Sequence, residues 1–225
     1  MGTSYGGTFP ASNGMKITKL GHCCLVIEEA GLRIMTDPGS YSTMQNEAKN
    51  IDYVFITHEH QDHFHLESLK IVLKNNPKVR IVTNKGVGKL LDAENIPYQL
   101  LEHGGVGEFG GVHVEGCGER HAVIYGEYGQ VENTGYFFAK RFFYPGDAFF
   151  NPKRPVEILA LPVSAPWMRV SEALDYAKLL KPKSAFPVHD GMLKFGGPNH
   201  SLPEKFLPPE GIAFAVIQNG ETKEF

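Results

Sequence analysis

Cysteine is scarce in this chain of 225 residues: there are three, Cys23, Cys24 and Cys117, an odd number with two of them adjacent. That excludes a disulfide framework and fits a reducing compartment, so the cytoplasm is the expected location. Long apolar runs are missing as well. No stretch approaches the roughly 18 residues needed to cross a bilayer, and the first residues lack the charged-then-apolar order of a secretory signal. Neither membrane insertion nor export is expected. Positive charge is not in surplus: 22 Lys plus Arg stand against 25 Asp plus Glu, a formal net charge of -3. Extensive nucleic-acid binding is thereby disfavoured, because no basic field exists to grip a polyanion. The partner expected is a small molecule, and association of identical copies is compatible with the sequence.

The 42% hydrophobic content is that of an ordinary globular chain. Residues 1–14 are rich in Gly, Ser and Thr without apolar periodicity, and are expected to be a flexible leader or a cloning remnant. Residues 15–225 carry no linker, repeat or low-complexity tract and read as a single domain. Short apolar runs with Gly or Pro punctuation predict strands at Lys16–Leu20, Cys23–Glu28 and Leu32–Thr36, close enough for a meander, and at Tyr53–Thr57. Leu66, Leu69, Ile71, Val72 and Leu73 fall at helical spacing before Pro77. Further strands are expected at Val79–Thr83, Val112–Cys117, Gly135–Ala139, Phe142–Tyr144, Glu157–Leu161 and Ser184–Val188, with a short helix at Val87–Leu91. The clearest helix is expected to start after Ser171 as its N-cap and to run to Leu180, before Pro182. Strands interleaved with helices and hairpins point to layered sheets covered by helices, an α/β (α+β) class.

Ten histidines are present, and their placement matters more than their number. The run Thr57-His58-Glu59-His60-Gln61-Asp62-His63 sets three imidazoles and a carboxylate directly after an apolar strand. At a strand mouth His58 and His60 can converge on one point while Asp62 and His63 face a second. Imidazole nitrogen and carboxylate oxygen suit zinc, manganese or iron, and no thiol stands within the cluster.

This run resembles the T-H-x-H-x-D-H signature of the metallo-β-lactamase superfamily, and the resemblance extends from Met15 over nearly the whole chain. His121 in Glu119-Arg120-His121-Ala122, Asp147 in Tyr144-Pro145-Gly146-Asp147 and His189 in Phe186-Pro187-Val188-His189 follow in the order of that family. The resemblance implies a four-layer αββα sandwich and two divalent metal ions, most simply zinc. It implies that His58, His60 and His121 hold one ion, that Asp62, His63 and His189 hold the other, and that Asp147 bridges them. The opening, Leu20-Gly21-His22 and then Met35-Thr36-Asp37-Pro38, is similar to a compact branch that includes bacterial ascorbate-phosphate lactonases. In that branch the aspartate before proline lies beneath the ligands, so Asp37 is expected to orient a ligand imidazole, against the alternative of a turn-starting residue. His22 is either a polar group near the site or a buried structural histidine.

The aspartate at 147, where β-lactamases of this fold carry cysteine, argues against antibiotic hydrolysis. The activity implied is metal-dependent hydrolysis: a hydroxide shared by two cations attacks a small polar ester, lactone or phosphate-bearing metabolite, with Asp62 and Asp147 as the catalytic carboxylates. A phosphodiesterase or nuclease on the same metals is the alternative, with Arg120, Lys194 and Arg169 as phosphate partners, and an inactive metal-binding scaffold is a third. Trp167 stands on a loop, either walling the substrate pocket or capping the core. His65 is expected to face solvent or cap its helix, and His103, His113 and His200 to be structural or surface residues. Cys23 and Cys24, neighbours on a strand, should point to opposite faces.

Overall fold

The computed structural model describes residues 14–225; the expected leader, Gly14 aside, lies outside them. In the first sheet β1 (Lys16–Gly21), β2 (Cys24–Glu29) and β3 (Leu32–Thr36) make an antiparallel meander. Strands β4 (Tyr53–Ile56), β5 (Arg80–Thr83) and β6 (Gln99–Leu100) extend it in parallel. The second sheet repeats the plan. Strands β7 (Val106–Phe109), β8 (Val112–Cys117), β9 (Gly135–Phe138) and β10 (Phe142–Tyr144) are antiparallel, and β11 (Ile158–Pro162), β12 (Ser184–Val188) and β13 (Ala213–Phe214) continue in parallel. Strand β14 (Thr222–Glu224) returns to the first sheet and pairs with β1.

Alternation along the strands decides the layering. Tyr136 and Phe138 point inward, where they join Phe55, Phe142 and Phe186 in the core between the sheets. Phe137 and Phe143 point outward, against Ala173, Tyr176 and Ala177 of α3 (Val170–Leu180). On the other side Val54, Ile56 and Ile81 pack against Leu69 and Val72 of α1 (Leu66–Asn75) and Val87 and Leu91 of α2 (Lys85–Ala93). The result is the four-layer αββα sandwich. Cys23 faces the central core and Cys24 the outer one, as the strand period requires. Among the described residues no helix is long and apolar enough to cross a membrane.

Two departures from the sequence reading have local causes. Helix α3 begins at Val170 with Arg169 as its N-cap, ahead of the expected Ser171, because the Glu172 carboxylate accepts the Arg169 N–H at 2.6 Å. Beyond Ser184–Val188, where the sequence reading placed no further element, a fourth α-helix forms, α4 (Gly197–Phe206), which packs on α3. Pro198 sits in its first turn, where a missing N–H costs nothing.

Candidate metal centre

Loops at one end of the sandwich, mostly leaving the carboxyl ends of strands, bring the polar residues together. Asp37 follows β3, the 57–63 segment follows β4, His121 lies beyond β8, Asp147 beyond β10 and His189 directly after β12. Such ends gather ligands in sheets of this kind because successive loops open into one crevice. Gly39 allows two of these loops to touch: a Cβ there would stand 1.8 Å from the Asp62 carbonyl oxygen. His22, Asp37 and His189 adopt left-handed backbone, with φ of 45°, 36° and 61°. Such conformations cost of order 1–3 kcal/mol each and persist only where surrounding contacts fix them.

One rule governs the histidine orientations. His63 Nδ1 donates to Asp37 Oδ2 at 2.7 Å, His121 Nδ1 to the Ala122 carbonyl at 2.6 Å and His189 Nδ1 to the Ser164 carbonyl at 2.5 Å. Thr57 Oγ1 donates to Asp37 Oδ2 at 2.7 Å, which leaves it free to accept from His58 Nδ1 at 3.0 Å. With each Nδ1 carrying the proton, each Nε2 presents a bare lone pair. The Nε2 atoms of His58, His63, His121 and His189, together with Asp147 Oδ1, are buried without any hydrogen-bond partner. Five orphaned acceptors in one place would be costly unless something electropositive sits among them.

Among the described residues three sets of donor atoms come together: His58, His60 and His121; His58, His63 and Asp147; and His22, Cys23, His63 and His189. Those of His58, His60 and His121 lie within 4.8 Å of one another. Asp62 Oδ2 is 3.3 Å from His189 Nε2 and 3.9 Å from His63 Nε2. Asp147 stands among these sets: Oδ1 is 3.0 Å from His63 Nε2, and Oδ2 is 2.9 Å from His189 Nε2 and 3.3 Å from His121 Nε2. This nitrogen and carboxylate set suits divalent metal ions. Burial would raise the Asp147 carboxyl, but His63 and His189 outweigh it and hold the group well below the usual range. Burial, reinforced by His63, pushes His58 below the ordinary imidazole value, and burial with His121 does the same to His60.

His22 is turned the other way. Its Nδ1 accepts the Gly191 N–H at 3.0 Å, so Nε2 carries the proton and donates to Asp62 Oδ2 at 3.2 Å. It therefore orients a carboxylate. Trp167 lines the same cavity and donates Nε1–H to Asp147 Oδ2 at 2.8 Å. Arg120 opens onto a separate cavity with Lys85, Glu102 and Glu132, while Lys194 and Arg169 are exposed and absent from the lining of the site. His65 caps α1, accepting from Ser68 N; His103 accepts from Gly118 N, His113 sits between Glu108 and Glu115, and His200 meets Asp190.

Three contributors had no role in the sequence reading. Tyr144 donates its hydroxyl to Asp37 Oδ2 at 2.6 Å, Thr57 is the relay just described, and Asn133 Oδ1 accepts Asp147 N at 3.0 Å. The Cys23 sulfur lies within 4.8 Å of nitrogens of His22, His63 and His189. Burial pushes this thiol up, but the three histidines outweigh it and bring it down to about 6.

Residues 16–189 match the family described as Beta-lactamase superfamily domain. The chain belongs to the metallo-β-lactamase superfamily. It is 32% identical over 184 residues to protein Rv0786c of Mycobacterium tuberculosis, covering 80% of this chain and 85% of that protein. A UPF0173 metal-dependent hydrolase of Carboxydothermus hydrogenoformans is 31% identical over 196 residues, covering 78% of this chain and 84% of the relative. The fold is shared with Igni18, a metallo hydrolase of Ignicoccus hospitalis, at a TM-score of 0.76 and 21% identity over 95% of this chain and 99% of that one. Within the superfamily the chain is a metal-dependent hydrolase.

Proposed function

We propose that this hydrolase works with two divalent cations, zinc first and manganese or iron as alternatives, on a carboxylic ester or lactone. The observation that carries the reading is the set of orphaned buried acceptors facing one volume. His58, His60 and His121 would hold one cation, Asp62, His63 and His189 the other, and Asp147 both. When bound, such a pair supplies a water activated at neutral pH and an electrophile for the carbonyl oxygen. The chain's own residues do the rest. Asp62, kept in place by His22, accepts a hydrogen bond from the attacking water and so aims it. Asp37 and Thr57 hold the protons of His63 and His58 on Nδ1, away from the reacting volume. Trp167 fixes the free rotation of Asp147 through Nε1. A phosphodiester reading is disfavoured because Arg120, Lys194 and Arg169 all lie outside the cavity. A cytoplasmic location belongs to the same proposal, since the three cysteines are free and buried, and so does a small-molecule substrate, for which the cavity at the donor set has room.

The test is turnover of carboxylic esters, lactones and bis-phosphodiesters by protein stripped with a chelator and then reloaded with zinc. Ester or lactone cleavage that appears only on reloading is expected. Faster cleavage of the phosphodiester would favour the nuclease-type alternative, and no turnover of any member would favour the scaffold.

A further inference from the structure

The cavity above the donor cluster has a volume of about 720 Å³, in the range of sites that enclose a whole small molecule. Its floor is His60, Asp62, His121, Asp147 and His189, and its walls are Tyr41, Ile124, Tyr128, Pro166, Trp167 and Met192. Among the described residues that line it there is no Lys or Arg, and Glu59 is the only charged side chain outside the donor set. Tyr41, Tyr128 and Met192 are 44%, 74% and 46% exposed, so large apolar groups stand at the mouth with little covering them. Exposed apolar surface concentrated around a reaction centre marks a binding surface. Trp167 is pre-organised as a flat wall, held by its bond to Asp147 and by an edge-on contact with Phe149 at 5.0 Å.

Resting on the hydrolase reading above, we infer that the substrate beyond its scissile carbonyl is uncharged and apolar: an aromatic or medium-chain aliphatic acyl ester or lactone. A carboxylate tail beside Tyr128, Met192 and Ile124 would find no Lys or Arg to pair with and would also meet Glu59, so it gains nothing from these walls. The same walls reward each methylene that enters, at about 0.8 kcal/mol when fully buried.

Two esters with equal chain length test the distal group: p-nitrophenyl hexanoate and mono-p-nitrophenyl adipate, which differ only by a terminal carboxylate. With the zinc-reloaded full chain, kcat/KM for the hexanoate is expected to exceed those for the acetate and for the adipate by about tenfold or more, mostly through KM. Tyr128→Lys is expected to narrow the hexanoate-to-adipate ratio at least about fivefold, as a cation replaces an aromatic wall. A flat response to chain length, or preference for the adipate, overturns the inference while leaving a hydrolase in place. Binding is read separately through Trp167, the single tryptophan of the chain. 4-Phenyl-2-butanone is expected to quench its emission saturably, and 4-(4-carboxyphenyl)-2-butanone to need about tenfold more for the same effect. If no ester is cleaved, the ester reading falls and the lactone and phosphodiester arms of the panel decide the bond. The fluorescence pair then decides the apolar inference alone, equal or inverted affinities overturning it.

Discussion

The Asp37 carboxylate and the His63 imidazole stand 2.7 Å apart, both sealed from solvent, at the convergence of two loops of the first sheet. Asp37 takes three further hydrogen bonds, from Thr57 N at 2.8 Å, Thr57 Oγ1 at 2.7 Å and Tyr144 OH at 2.6 Å. This single side chain thus fixes two imidazole tautomers at once, one directly and one through Thr57.

Asp37→Asn is expected to weaken metal binding by roughly 10- to 100-fold, because the charge that raises ligand basicity is gone. Stability should also fall, by about 1–3 kcal/mol, since in either amide orientation an N–H faces a donor that has lost its acceptor. Tyr144→Phe removes one donor only and should cost about 1 kcal/mol. Competition with a chromophoric chelator and thermal unfolding measure the two effects. Unchanged metal affinity in Asp37→Asn would reduce Asp37 to a turn residue.

Two metal ions per chain are expected by elemental analysis after metal reloading, because two donor groups share Asp147. Chelation should lower the melting temperature, bound metal at 100 to 1,000 times its Kd being worth about 3–4 kcal/mol. Saturation at one ion per chain would sink the binuclear reading.

Asp147→Cys should keep the fold and lose most hydrolysis. A thiolate supplies one soft donor where two oxygens now face different histidines, and Trp167 Nε1 loses its carboxylate acceptor. Rates equal to those of the native chain, with two ions still bound, would make the bridge dispensable.

Behind His189 the chain is tied down by a buried pair: Lys19 Nζ is 2.6 and 2.8 Å from the Asp190 oxygens, and His200 Nε2 is 2.9 Å away. Burial would raise the Asp190 carboxyl, but His200 and Lys19 prevail and hold it below the usual value. A carboxyl depressed in the folded state stabilises fully above its unfolded value, near about 3.9, and loses that contribution as pH falls through the lower folded value. Asp190→Asn should therefore cost about 3 kcal/mol near neutrality, where Lys19 is left unpaired, with the gap to the native chain closing in acid. Thermal melts of both proteins across that range check the slope, and a constant gap would show that the pair does not titrate with folding.

Much of the architecture was legible because strands such as Leu32–Thr36 and Phe142–Tyr144 are short apolar runs with clear punctuation. The donor set was legible for a different reason: four of its members sit in one heptapeptide, a spacing that chance seldom produces. Tyr144 was not, because Phe-Phe-Tyr at a strand end reads as core, and its hydroxyl meets a residue 107 positions away. The carbonyls of Ala122 and Ser164 were invisible for the same reason, since any residue offers a carbonyl and only the fold selects which one. Helix α4 was hidden by Gly197, Pro198 and Pro203, residues that composition assigns to loops. Lys194 and Arg120 show the converse: charge is plain in a sequence, but the direction in which it points is not.

The pairing of β14 with β1 sets the timetable of assembly. Thr18 meets Thr222 across 204 positions, through a 2.7 Å bond between their hydroxyls. Contacts of such separation close late, after the entropy of the intervening chain has been surrendered. At synthesis rates of about 5–20 residues per second, the His58–His63 cluster exists for roughly ten seconds or more before residues 222–224 are made. Because His121, Asp147 and His189 follow strands of the second sheet, the His58–His63 segment gains its full set of neighbours only once that sheet is in place.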